Sequence, residues 1–264
     1  GTPAPVTLDN TGVDGAVRIG GAQFAADGYS IGGDALTISN PVTVVRVRHG
    51  TAASAGMTAT IGAAIGGAGG LVKDDGGTLV LGGANTYAGG TTVKGGILQI
   101  SADNNLGAAG AGLALDGGTL RIAPDVAPVF SARSVLLGAG GGTIDLSNSL
   151  YGVSGPITGT GLLTVTGKGG TLGLVSANGY SGGTVLKDGA RITTTVSGVL
   201  GSGAVQQQGN GTVLSLLGSA SAGSNAYTVG RAASADSRNT LSFSQSATAG
   251  NATIALNGTG WSSA

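Results

Sequence analysis

Residues 28–32 read Gly-Tyr-Ser-Ile-Gly, the spacing of a serine nucleophile elbow. That elbow needs a sharp strand–turn–helix bend, with an aspartate and a histidine later in the chain. The one histidine, His49, follows the serine by 49 − 30 = 19 residues, and no helical pattern lies between them. The motif therefore reads as a turn, with Tyr29 packed at its corner. Arg46-Val47-Arg48-His49 is the densest positive stretch. Its arginines could clamp the acidic groups of glycans or the phosphates of lipopolysaccharide. On an alternating strand the same arginines simply point outward over their aliphatic stems. His49, with no acid beside it, reads as a surface residue or loop cap rather than a base.

Asp74-Asp75 are adjacent carboxylates, but neighbours on a turn face different ways, and glycoside chemistry needs two acids across one groove. Glutamate is absent, and Asp103, Asp116 and Asp188 are scattered. Gly140-Gly141-Gly142-Thr143-Ile144-Asp145 lacks the tandem repetition of a calcium-binding nonapeptide. Gly167-Lys168-Gly169 lacks the spacing of a phosphate loop. Thr193-Thr194-Thr195 stands isolated, unlike the flat threonine array of an ice-binding face. No catalytic residue, cofactor site or metal site is expected.

The 264 residues include 55 glycines; aromatic residues are 3% and charged residues 9%. So much glycine argues against long helices, and its irregular spacing excludes collagen. Mean hydropathy of +0.31 with zero net charge argues against disorder. That charge balance leaves no basic footprint for nucleic acid. Cysteine is absent, so disulfides play no part. No run of apolar residues is long enough for a membrane helix, and the start of the chain lacks a charged and apolar leader pattern.

The elements that must carry any surface chemistry are short. Apolar–polar–apolar triplets recur along the chain, among them Val17-Arg18-Ile19, Leu36-Thr37-Ile38, Leu98-Gln99-Ile100, Leu120-Arg121-Ile122, Leu163-Thr164-Val165 and Leu214-Ser215-Leu216. Alternation puts the outer pair on one face and the middle residue on the other. Strands this short cannot stand alone. Wound into coils they bury their apolar pairs in one continuous core, and glycine pairs at the joints supply the turns. The expected fold is all-β: one right-handed parallel β-helix over residues 1–264, of about 11–13 coils. The segment 123–133 breaks the pattern and is expected to be an irregular coil or loop.

Residues 77–94 (GTLVLGGANTYAGGTTVK) and 170–187 (GTLGLVSANGYSGGTVLK) repeat at an offset of 171 − 78 = 93 residues. The wider copies lie near 70–122 and 163–216. Asn85 with Tyr87, and Asn178 with Tyr180, form the recurrent polar–aromatic pair. Either they are a sugar-stacking platform, or they are structural, with Asn in a left-handed turn and Tyr covering the end of a coil.

These two stretches resemble the passenger-associated transport repeat of bacterial autotransporters, the type V secretion family. Residues 77–98 follow its pattern nearly throughout. In residues 170–191, Gly179 replaces a threonine and Arg191 stands where the last leucine belongs, so this copy reads as a drifted coil. Residues 22–38 and 245–254 are similar to other passenger segments. The resemblance implies a non-enzymatic stalk or adhesin scaffold on the outer surface of a Gram-negative bacterium. It implies host-surface or matrix molecules or glycans as partners, and a C-terminal translocator barrel beyond this chain. A carbohydrate-binding or polysaccharide-active β-helix is the alternative. An excised solenoid exposes its coil ends, over 1–8 and 254–264, to self-association.

Overall fold

A computed structural model describes residues 5–9, 11, 17–48, 56–230 and 238–257. Within them, short strands stack in parallel as a β-solenoid. A twelve-stranded sheet runs from Val6–Leu8 to Thr253–Leu256. A seven-stranded sheet runs from Gly21–Phe24 to Ile157–Gly159. The remaining side of the lower coils carries a three-stranded sheet, Val17–Ile19, Leu36–Ile38 and Ile65–Gly66. In the upper coils the same place in the circuit is taken by a six-stranded sheet, from Val129–Ser131 to Thr240–Phe243. Pairing offsets range from 98 − 79 = 19 to 143 − 119 = 24 residues in the central coils. The corners therefore vary in length while the strands keep register.

The alternation places aliphatic side chains in lines along the interior. Ala59, Leu79, Leu98, Leu120, Ile144, Val165 and Leu186 sit directly over one another in seven successive strands. All are buried. Burying one such leucine stabilises by about 1.5–3 kcal/mol. Within the segment 123–133, Asp125 takes a left-handed turn and Val129–Ser131 pair as a strand with Tyr151–Val153.

Two cations break the aliphatic interior, each saturated by carbonyls. Lys73 lies inward between Val45 and Val93. Its Nζ donates to the carbonyls of Asp74 (2.8 Å), Asp75 (2.7 Å) and Gly95 (3.0 Å), on two successive corners. Arg133 sits where the short 3-10 helix Asp103–Leu106 interrupts the strands. It pairs with the Asp103 carboxylate at 3.0 Å and donates to the carbonyls of Asp103, Leu106, Gly107, Ala108 and Ala111. Carbonyls left unpaired by the missing strand thus find donors in one side chain.

The two repeat copies occupy different faces. Thr78–Leu81 lies in the twelve-stranded sheet, whereas Thr171–Leu174 lies in the six-stranded one. Four full coils connect Thr78 to Thr164 through Ile97, Thr119 and Thr143, and one more side of the coil leads to Thr171. The second copy is turned by one face about the axis, yet its contacts are the same. Asn85 Oδ1 accepts the Ile65 N–H (2.8 Å) and its Nδ2 donates to the Asn105 carbonyl (2.6 Å). Asn178 does likewise with Ile157 and Val199, both at 2.7 Å. Each asparagine thus bridges the coil before and the coil after. Tyr87 and Tyr180 hydroxyls each bond the threonine four residues on, Thr91 and Thr184, at 2.6 Å. A Cβ on Gly89 or Gly182 would lie 2.3 Å from backbone of the preceding coil, so only glycine fits there.

The expected turn roles do not hold. Neither asparagine adopts positive φ, because its side chain replaces a strand hydrogen bond along the axis. Both tyrosines are fully buried inside the coil rather than over its end. The second copy's apparent drift is a turn longer by one residue. Ile192 fills the inward place of Leu98, and Arg191 takes the outward place of Ile97.

Two outcomes are expected. Asn85→Ala strands an N–H and a carbonyl inside the stack and should destabilise by about 1–3 kcal/mol. Asn178→Ala, at a half-buried site, should cost less; urea denaturation midpoints compare the two. The second outcome concerns pH. Burial lowers the Lys73 pKa from 10.5 to about 8, so above pH 8 the unfolded chain holds the extra proton and stability rises with pH. Burial raises the Tyr87, Tyr151 and Tyr227 hydroxyls from 10.0 to about 12, and raises Tyr180 too. Above pH 10 the unfolded chain loses those protons first, and stability falls. Denaturation midpoints should climb from pH 8 to 10 and drop beyond; Lys73→Met should flatten the climb and keep the drop.

Candidate functional surface

The outer faces carry the residues that the coil does not consume. Arg46 projects from the strand Val42–Val47. Its Nε lies 3.7 Å from the Asp74 carboxylate on the next strand, with both side chains partly exposed. The Arg48 backbone bonds Phe24, and its carbonyl accepts the Gln23 amide at 3.1 Å. His49 lies outside the described residues, as do 50–55 after it. The positive stretch is therefore partly neutralised at Arg46 by its own sheet neighbour.

Ser30 of the Gly-x-Ser-x-Gly motif lies on the strand Tyr29–Gly33, and the next element is another strand. Asp74 and Asp75 do not face each other as a catalytic pair. Asp74 faces Arg46 and accepts the Asp75 N–H at 2.9 Å, while Asp75 turns through positive φ. Among the described residues no group of three or more His, Cys, Asp or Glu is placed to hold a metal ion.

The asparagine–tyrosine pairs are spent inside the stack, and Tyr87 and Tyr180 offer no ring to a ligand. Among the described residues the exposed aromatic is Phe130, 69% accessible, whose ring edge rests over Gly152 of the neighbouring strand. Arg121 and Asp145, directly opposed in register, form a 2.7 Å ion pair on the outside of the long sheet.

An open cleft of about 650 Å³ lies at the corner leading from the long sheet to the six-stranded sheet. Lys168, Asp188, Asn210 and Arg191 line it, over a floor of glycines. These residues come from three successive corners, so no local motif announces them. The signal available in the sequence was the extra residue before Arg191, which turns that arginine outward.

Comparison with known proteins accords with this architecture. The family model described as passenger-associated-transport-repeat matches residues 71–100. These span the strands Gly70–Asp74 to Ile97–Ile100 and contain the Asn85 bridge. The chain is 35% identical over 229 residues to the protein named Adhesin BmaC autotransporter of Brucella suis biovar 1 (strain 1330). The match covers 77% of this chain and 6% of that relative's length. No solved structure matches. A solenoid of stacked parallel coils, the transport repeat on its bridging asparagine and the similarity to an autotransporter converge: this chain is a length of autotransporter passenger, a surface-located protein of Gram-negative bacteria.

Proposed function

We propose that this stretch is a non-enzymatic rod within a surface adhesin, which holds binding surfaces away from the cell. One observation carries the reading: twelve strands pair without interruption in a single sheet along the described chain. Such a stack is stiff along its axis, because each coil is hydrogen-bonded to the next through its strands. The relative's name, an adhesin autotransporter, supports adhesion as the purpose of the larger protein. Its own C-terminal translocator barrel would anchor it, and matrix proteins or glycans of a host surface would be its partners.

The absence of cysteine suits this role. A chain that needs no disulfide can cross the outer membrane extended and add coils outside one at a time.

Display tests the reading. The 264-residue chain is fused to a translocator barrel in a Gram-negative host, and cells are plated on immobilised matrix proteins and glycans. Displayed cells should adhere more than cells carrying the barrel alone, with no turnover of polysaccharide. Adherence equal to the barrel alone would reduce the stretch to a spacer, and polysaccharide cleavage would refute the non-enzymatic reading.

A further inference from the structure

Three successive corners build the cleft beside the six-stranded sheet. They are Gly167-Lys168-Gly169, Asp188-Gly189 and Gly209-Asn210-Gly211. Gly167, Gly169, Asp188, Gly189, Gly209 and Gly211 all take positive φ, so the corners fold tightly and leave space between their few side chains. The Gly169 N–H donates to the Gly189 carbonyl at 3.2 Å, tying the first corner to the second. The Lys168 stem lies against Gly189, where an added Cβ would meet its Cγ at 3.4 Å and its Cβ at 3.7 Å. Arg191 begins the strand just beyond, opposite Thr171.

The cations here differ from the three paired arginines of the rod. Arg46, Arg121 and Arg133 each face an aspartate. Among the described residues, neither Lys168 nor Arg191 has an ion-pair partner, although Asp188 lines the same cleft. The Asp188 carboxylate instead accepts the Thr166 hydroxyl at 2.9 Å. All four side chains are exposed. The site thus combines two cations for an acidic group with a carboxylate and an amide suited to hydroxyl groups. A purely anionic ligand would be repelled by Asp188, and a neutral sugar would leave both cations unused. The volume falls within the several-hundred-Å³ range of small-ligand sites.

We propose that this cleft binds an acidic sugar unit, a uronate or a sulfated residue, of an extracellular polysaccharide. Lys168 and Arg191 hold the acidic group, while Asp188 and Asn210 accept and donate to ring hydroxyls. The binding site deepens the adhesin reading and rests on it for its biological sense. It is tested on the purified chain, so its failure leaves the display experiment untouched, and failure of display leaves this binding intact.

The test is calorimetry of the 264-residue chain with a heparin tetrasaccharide and a galacturonate tetrasaccharide. Inorganic sulfate serves as an ion-only comparator. At least one saccharide should bind, and more tightly than sulfate. Lys168→Ala combined with Arg191→Ala should weaken it by about tenfold or more, and added salt should weaken the wild type more than the double variant. Asp188→Asn should weaken the saccharide. Lys94→Ala, on the exposed corner between Thr91–Val93 and Ile97–Ile100 and outside the cleft lining, should change nothing. These side chains are exposed, so circular dichroism should report an unchanged fold. The proposal is overturned if neither saccharide binds, if the double variant binds as well as wild type, or if sulfate alone matches the saccharide. Tighter binding by Asp188→Asn would equally overturn it, since the carboxylate would then only repel.

Discussion

Coil-to-coil backbone pairing is the constraint on which everything else in this chain depends. Strands of two to six residues have too little surface to hold a sheet alone. They persist because each finds a partner in the coil before and another in the coil after. Once that pairing exists, side chains follow by alternation. The inward line from Ala59 to Leu186 forms one aliphatic column, while the outward residues are left to the solvent. The pairing also explains why polar groups reach the interior. Asn85, Asn178 and Arg133 all satisfy main-chain groups where a strand is missing. None of them is there for its own burial.

The repeat shows how local this logic is. Its second copy sits one face around from the first and keeps the same asparagine bridges, the same tyrosine–threonine bonds and the same side-chain-free glycine. Two sides of the coil are therefore equivalent to the motif, which specifies a strand, a bridged corner and a further strand on either. A repeat tied to one face would need an offset of whole coils. This one needs only that its neighbours present an N–H below and a carbonyl above.

That independence explains what was legible. The triplets and the glycine joints announced parallel coils, because period-two alternation in runs too short for a sheet has few other solutions. The asparagine–tyrosine pair announced a repeat but not its mechanism, since a left-handed turn and an axial bridge leave the same residue in the sequence. Cross-coil neighbours were hidden by corners of varying length. On the long sheet, Thr58, Thr78, Ile97, Thr119, Thr143 and Thr164 form one outward row. No fixed spacing in the sequence reveals it. Arg191 looked like a lost core leucine for the same reason: one inserted residue moved the core position to Ile192.

Tolerance at the corners is also where surface chemistry can accumulate. A substitution inside the column disturbs packing against both neighbouring coils, whereas a corner residue with positive φ and no inward partner is bound only by its own turn. The central coils lengthen from 19 to 24 residues without losing register, so insertions there leave the rod intact. Charges placed on successive corners then lie one coil apart, close enough to converge on one ligand. Lys168 and Asp188 stand in that relation, with the Asn210 amide one corner further on, drawn together by the stack rather than by the sequence around any one of them.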